Sequence, residues 1–134
     1  MNKEEAFPFY WRLKDNPEIA KSMRCMDGAQ VTEMIDKYRT AQATAARALK
    51  SIDLTYATPV TLLPLWKNLG AVANEKVCVV WLRERVGIIV DFDVFVRSWD
   101  DLWYPSSDDV IVANTCYGFG ASFDHEEKLS IWLK

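Results

Sequence analysis

The sequence has few of the residues that catalytic sites most often use. It contains a single histidine, His125, and three cysteines that stand far apart without a CxxC pair. Nucleophilic catalysis of the Ser-His-acid or Cys-His kind would have to use that histidine. A lone histidine among acidic residues is more typical of a surface side chain paired with a carboxylate. The sequence therefore predicts a protein that is not an enzyme and that needs no cofactor.

Phosphate-binding loops and long apolar runs are also absent. None of the five glycines falls in GxGxxG or GxxxxGK[ST] order, and the basic residues do not cluster as they do in nucleic-acid-binding proteins. No apolar run approaches the roughly 18 residues of a membrane span, and the first residues lack the apolar core of a signal peptide. We expect a cytoplasmic protein with reduced cysteines that binds neither nucleic acid nor a membrane.

Length and hydrophobic periodicity predict the fold class. The chain is long enough for one α+β domain covering residues 1–134, in which N-terminal helices pack on a mainly antiparallel sheet of about five strands. Short runs rich in β-branched and aromatic residues, bounded by turn signals, mark the strands. The predicted strands cover residues 77–82, 86–90, 109–113, 121–124 and 129–133, with a loop at residues 117–120.

Three helices are indicated by capping residues and apolar stripes. The longest begins at an Asp27 cap and carries a stripe that extends through Leu49 to Ile52, and it is the natural cover for the sheet. The second begins at Thr58-Pro59, is kinked or delayed by Pro64, and stops near Gly70. The third is capped by Asp93 and ends before Pro105.

Charge is distributed unevenly along the chain. Residues 91–127 carry nine Asp and Glu residues against Arg97 alone, a net charge of −8, whereas residues 1–50 are slightly basic. An acidic field of this kind repels nucleic acid, attracts a basic partner and speeds the encounter between them. A solvated acidic face that only keeps the protein soluble would give the same pattern.

Within this acidic segment, residues 99–109 combine three aromatic residues with four aspartates. Aromatic side chains often anchor protein interfaces, and carboxylates pair with Arg or Lys on a partner. The tryptophans can also seat the third helix on the sheet, so we expect Trp99 to face inward and Tyr104 to be more exposed. Six tryptophans in so short a chain also suggest that some are partly exposed. The candidate partner-binding residues are Asp100, Asp101, Trp103, Tyr104, Asp108, Asp109, Glu126 and Glu127.

The clustered aspartates leave two alternatives open. Asp91 and Asp93 share one face of a strand and, together with Asp108, Asp109 and His125, could hold Mg²⁺ or Ca²⁺ in a small metal-dependent enzyme, although their spacing fits no EF-hand. The other alternative is a regulatory protein that imitates the charge of nucleic acid. Such a protein would bind several unrelated basic proteins with strong salt dependence.

The C-terminal part of the sequence resembles a known class of proteins. The segment from Phe92, with WDDLWYPSSDDVIV at 99–112 and a closing strand after His125-Glu126-Glu127, is similar to the C-terminal half of small bacterial immunity proteins. These occur in contact-dependent growth inhibition and related polymorphic toxin systems. The resemblance implies a cytoplasmic protein, without cofactor or catalytic activity, that neutralises a cognate toxin, commonly a basic nuclease. Each such protein binds its own toxin by its own surface, so the resemblance assigns no site residue.

Overall fold

The computed structural model describes residues 7–48, 51–69, 75–105 and 107–134. Leu49, predicted in the long helix, Gly70, predicted at a helix end, and Ser106, predicted in a turn, lie outside these ranges. Along the described chain the helices are α1 (Tyr10–Leu13), α2 (Pro17–Ser22), α3 (Gly28–Ala43), α4 (Pro59–Lys67) and α5 (Phe92–Leu102). The strands are β1 (Arg24–Cys25), β2 (Arg47–Ala48), β3 (Ile52–Asp53), β4 (Lys76–Trp81), β5 (Val86–Asp91), β6 (Val110–Asn114), β7 (Phe119–Phe123) and β8 (Lys128–Leu133).

The strands form one antiparallel sheet, which confirms the predicted α+β class. Their order is β1-β5-β4-β6-β7-β8-β2, and β3 pairs with β8 next to β2. The five predicted strands correspond to β4–β8, although β7 begins at Phe119 and includes residues that were predicted in a loop. The two-residue strands were not predicted. They cover the outer strands β5 and β8, where exposed backbone groups would otherwise pair with another chain.

Helices cover both faces of the sheet. Side chains alternate along each strand, so β4 turns Val77, Val79 and Trp81 to one face and Cys78 and Val80 to the other. The first face packs against α1, α2, α4 and α5, and the second against α3. The long helix is therefore the cover of one face only, and four shorter helices build the larger core on the opposite face.

The long helix α3 begins as predicted and ends earlier. Asp27 and Gln30 form the capping box, with both side-chain-to-backbone hydrogen bonds at 2.8 Å. The helix stops at Ala43, and the predicted stripe residue Ile52 lies in β3 opposite Leu129 of β8. The residues that follow Ala43 have a local preference for helix. That preference is overridden because the backbones of residues 47–48 and 52–53 pair with β8.

The predicted start is correct for one of the other two helices and wrong for the second. Thr58 caps α4 as predicted, and the helix continues through Pro64 to Lys67 without delay. α5, however, begins immediately after β5, so the N-cap position falls on Asp91 and the predicted cap Asp93 lies in the first turn. Asp93 was the wrong cap because the strand runs directly into the helix and leaves no connecting residue between them.

Candidate protein-binding site

The register of the sheet brings several acidic segments to one end of the molecule. Trp81, Val110, Phe123, Leu129 and Ile52 pair in one row across β4, β6, β7, β8 and β3. The residues beyond this row therefore leave the sheet at the same end. α5 also finishes there, because Trp99 stacks on Phe123 with ring centroids 5.5 Å apart. We call this end, comprising residues 53–56, 100–105, 107–109 and 124–127, the acidic end.

The C-terminal turns of α5 contribute two exposed carboxylates. Asp100 and Asp101 lie on the outer side of the helix, as their spacing from the buried Trp99 and Leu102 predicts. The Asp101 Oδ2 accepts a hydrogen bond of 2.8 Å from the Asn16 amide nitrogen. Partial burial raises the pKa of Asp100, and the neighbouring charge of Asp101 raises it further. The pair is thus a concentrated negative charge that a cation would stabilise.

Asp109 and His125 form an exposed pair at the start of β6. The Asp109 Oδ1 lies 2.9 Å from His125 Nδ1 and accepts a 3.0 Å bond from the His125 backbone nitrogen. These bonds raise the pKa of His125. Partial burial acts to raise the pKa of Asp109, but the bonds from His125 outweigh it and leave that pKa below its ordinary value. The histidine is therefore paired with a carboxylate, as the sequence predicts.

The β7–β8 turn holds the glutamates in a fixed geometry. Asp124 Oδ1 accepts hydrogen bonds from the backbone nitrogens of Glu126, at 2.9 Å, and Lys128, at 3.0 Å. Glu127 has a φ of 61°, which closes the turn. Glu126 is exposed and Glu127 half-buried. The turn therefore presents its carboxylates from a rigid backbone.

Trp103 is not the exposed anchor that the sequence suggested. Its side chain is 4% exposed and packs 5.8 Å from the Phe123 ring centroid. The indole nitrogen donates a 3.2 Å hydrogen bond to the carbonyl of Asp108. The prediction was wrong because Trp103 follows directly after the helix and turns back onto the sheet, where its nitrogen finds a backbone acceptor.

Asp108 is also internal and contributes no binding surface. Its carboxylate accepts hydrogen bonds from Arg12 Nη2 at 2.8 Å and from the Tyr104 backbone nitrogen at 2.9 Å. The Arg12 and Asp108 side chains are only 4% and 6% exposed. The guanidinium lies between the rings of Phe9 and Tyr104, at 4.1 and 4.0 Å from their centroids. Tyr104 keeps an exposed edge, and Arg12 holds its segment in place.

Five of the six tryptophans are buried, and the expectation that some are exposed holds for Trp11 alone. Trp11 on α1 is 61% exposed, and the other five lie in the core. Four of those five, Trp66, Trp81, Trp99 and Trp103, belong to the larger core cluster, where three pack around Phe123. A core built on one face of a wide sheet accommodates more large rings than the length of the chain suggests.

Tyr56 and Val60 are exposed apolar residues that are not among the predicted partner-binding residues. Tyr56 is 92% exposed and Val60 80%. Tyr56 precedes the α4 cap, outside any apolar stripe, and Val60 lies off the face that carries Leu62 and Trp66. The spacing of Tyr56 and Val60 from the buried residues Leu62 and Trp66 could have predicted that both side chains face outward.

The carboxylates considered for a metal site have other partners. Asp91 bonds the Lys76 ammonium, Asp108 bonds Arg12 and Asp109 bonds His125. Within the described ranges no group of three or more His, Cys, Asp or Glu side chains is arranged to hold a metal ion. The geometry therefore gives the metal-dependent alternative no support.

No disulfide joins the three cysteines, all of which lie in described parts of the chain. In those parts, no helix has both the length and the apolar composition needed to cross a membrane. No protein-family model, curated protein or solved structure matches the chain. Any functional proposal therefore depends on the geometry and chemistry of the acidic end.

Proposed function

We propose that the protein is an immunity protein that binds and neutralises a cognate toxin domain in the cytoplasm, without a cofactor and without catalysing a reaction. The toxin is expected to be basic, with a nuclease as the first candidate. The observation that supports this proposal is the convergence of exposed or half-exposed carboxylates at the acidic end. They come from three separate segments and comprise Asp100, Asp101, Asp109, Glu126 and Glu127.

The acidic end is electrostatically complementary to a basic protein. A basic protein approaching the acidic end is steered by the field and associates faster than a neutral one. On contact, Arg and Lys side chains form charge-assisted hydrogen bonds with the carboxylates. The site loses little entropy on binding because its turns are already fixed by hydrogen bonds such as those of Asp124.

The binding surface proposed here is smaller than the one derived from the sequence. Asp100, Asp101, Tyr104, Asp109, Glu126 and Glu127 remain as candidate contacts. Trp103 and Asp108 support this surface from behind, since both are buried beneath it. Substitutions at the exposed positions should change binding without changing the fold, whereas substitutions at the two buried positions should change the fold.

The proposal predicts that a toxin domain is encoded beside this gene, and co-expression with that domain tests it. The wild-type chain should restore growth and co-purify with the toxin domain. The variant Asp100→Lys/Asp101→Lys/Glu126→Lys should lose both properties, because each substitution replaces an attraction with a repulsion. Glu33→Lys is the matched control, since Glu33 is an exposed carboxylate on α3, across the sheet from α5.

Two results would contradict the proposal. Failure of the wild-type chain to restore growth or to bind the toxin domain would remove the immunity function. Equal binding to several unrelated basic proteins, with steep loss of affinity in salt, would identify the protein as an imitator of nucleic-acid charge instead. Far-UV circular dichroism of each variant checks that the fold is intact.

A further inference from the structure

We propose that Tyr56, together with Val60 and Leu63 of the helix α4 that follows it, is the apolar anchor through which the acidic end holds its basic protein partner. This inference rests on the proposed function and adds a contact that the acidic segment at residues 99–109 does not supply. The anchor is defined as Tyr56, Val60 and Leu63.

The anchor gathers most of the large apolar side chains that are exposed. Five such side chains are exposed in the described part of the chain, and three of them belong to the anchor. Val60 and Leu63 follow helical spacing on the outer side of α4, whereas Leu62 and Trp66 face the core. Apolar side chains exposed together and bordered by polar residues are typical of a protein interaction site.

The segment that carries Tyr56 is rigid, although the ring itself is exposed. Asp53 Oδ1 accepts hydrogen bonds from the Thr55 backbone nitrogen at 2.9 Å and from its hydroxyl at 2.6 Å. The Leu54 nitrogen bonds the Glu127 carbonyl at 2.8 Å, and Ala57 closes a turn on Leu54 at 3.0 Å. A tyrosine on a preorganised turn provides a large contact area at a low cost in conformational entropy.

Charge identifies the kind of partner that covers this anchor. The Thr55 hydroxyl, whose hydrogen is donated to Asp53, lies 3.4 Å from Glu127 Oε2, so the residue next to Tyr56 contacts the β7–β8 turn directly. Glu126 is an exposed carboxylate of the same turn, and Asp53 lies on the other side of Thr55 with the Lys128 ammonium 3.9 Å from its Oδ2. Two copies of this chain joined through the anchor would bring these carboxylates together and repel each other. A partner with an apolar pocket edged by Arg or Lys satisfies both the ring and the carboxylates, and an Arg can also stack on the tyrosine face.

Titration calorimetry with the purified, catalytically inactivated toxin domain encoded beside this gene tests the anchor. Tyr56→Ala should raise the Kd by at least about 30-fold, the size of effect that defines an interface hot spot. Tyr56→Phe should retain most of the affinity, because it keeps the ring. Tyr117→Ala is the control, since it removes a tyrosine ring from the β6–β7 connection at the opposite end of the sheet.

The outcomes separate this inference from the proposed function. If the wild-type chain binds and Tyr56→Ala binds equally well, the anchor is wrong and the proposed function survives. If the wild-type chain does not bind, the proposed function fails and the anchor fails with it. If sedimentation equilibrium shows a dimer that Tyr56→Ala converts to monomer, a second copy occupies the face and the inference is overturned. Unfolding midpoints of the variants exclude misfolding as the cause.

Discussion

Arg12 and Asp108 show how one pair of residues positions the candidate site. They are 96 positions apart and connect α1 to the segment between α5 and β6. Removing two charges from water costs several kcal/mol for each ion, and the cost is offset only if the geometry supplies compensating contacts. The pair receives these from the Tyr104 backbone and from two aromatic rings. The ion pair therefore fixes the position of Tyr104 at the acidic end.

Breaking this pair should destabilise the protein strongly. Arg12→Met leaves the buried Asp108 carboxylate without its cation, so we expect the free energy of unfolding to fall by about 3–5 kcal/mol. Arg97→Met, which breaks exposed pairs with Glu18 and Asp93, should cost under about 1 kcal/mol. Urea unfolding measures both. Equal losses in the two variants would mean that the Arg12 pair contributes no more than a surface contact.

The same residues show which parts of a site can be read from a sequence. The outward position of Asp101 follows from helical spacing alone, because the inward neighbours Trp99 and Leu102 identify the buried face. The burial of Asp108 does not follow from its neighbours, because the cation that permits it is supplied by Arg12 at the other end of the chain. Local patterns predict exposure well where the determining contacts are also local.

At the level of elements, a small residue and a large one pack together on the face of the sheet that α3 covers. Gly120 on β7 lies opposite Trp132 on β8, and a Cβ added at Gly120 would lie 2.2 Å from atoms of the indole ring. The same ring packs edge-on against Tyr38 of α3, with centroids 5.4 Å apart. Gly120 thus leaves the space that the Trp132 ring occupies.

Gly120→Ala should therefore disturb the packing of α3 on the sheet. The added methyl group cannot be accommodated without moving the buried Trp132, and overpacking of this kind costs about 1–3 kcal/mol. Gly28→Ala is the control, because nothing lies within 4 Å of the position that its Cβ would take. Urea unfolding should show a loss of stability for the first variant and none for the second. A stable Gly120→Ala protein would contradict this packing.

Elements also differ in how far the sequence predicts them. The helices α3, α4 and α5 carry apolar residues of a clear period, and the strands β4 to β8 are runs rich in β-branched and aromatic residues, so the existence of each was predicted. The strands β1, β2 and β3 have two residues each, which is too few to show any period. The pairing of Ala48 with Trp132 arises only when β8 is already in place, so the end of α3 depends on tertiary structure.

At the scale of the whole molecule, folding converts a charge pattern in the sequence into a charge pattern in space. The net charge of the chain is only −3, which alone indicates little about a partner. The antiparallel register places the turn after β7 beside the segments that precede β6 and follow β3. Residues as distant in the chain as Asp53 and Glu126 therefore share one end. The sequence shows the acidity of the second half, but only the fold adds Tyr56 to that surface.

The shifted pKa values of these exposed groups make the stability of the whole molecule depend on pH. Hydrogen bonds lower the pKa of Asp53 and Asp91, and those from His125 lower that of Asp109 against the effect of burial. Each aspartate contributes stability at pH values above its ordinary pKa of 3.8, and the contribution is lost as the pH falls through the lowered pKa.

The pKa of His125 is raised above 6.5, so the contribution of His125 to stability is complete below pH 6.5 and is lost as the pH rises through the raised pKa. The pKa of Asp100 is raised, so its ionisation lowers the stability of the fold. Asp100 therefore offsets part of the stability that the other aspartates add as the pH rises from acid values.

We therefore expect the stability to be greatest between about pH 4 and 6.5, with a decline on either side. Urea midpoints measured from pH 3 to pH 9 should reveal this maximum. His125→Gln should remove the part of the decline that begins above pH 6.5, because it removes the group whose charge is lost there. Asp91→Asn should lower the midpoint by a constant amount at neutral pH, where Asp91 contributes its bond to Lys76, and should reduce the loss of stability below pH 4. A wild-type midpoint that does not vary between pH 5 and pH 8, or that varies equally in His125→Gln, would show that the Asp109–His125 pair contributes nothing to folding.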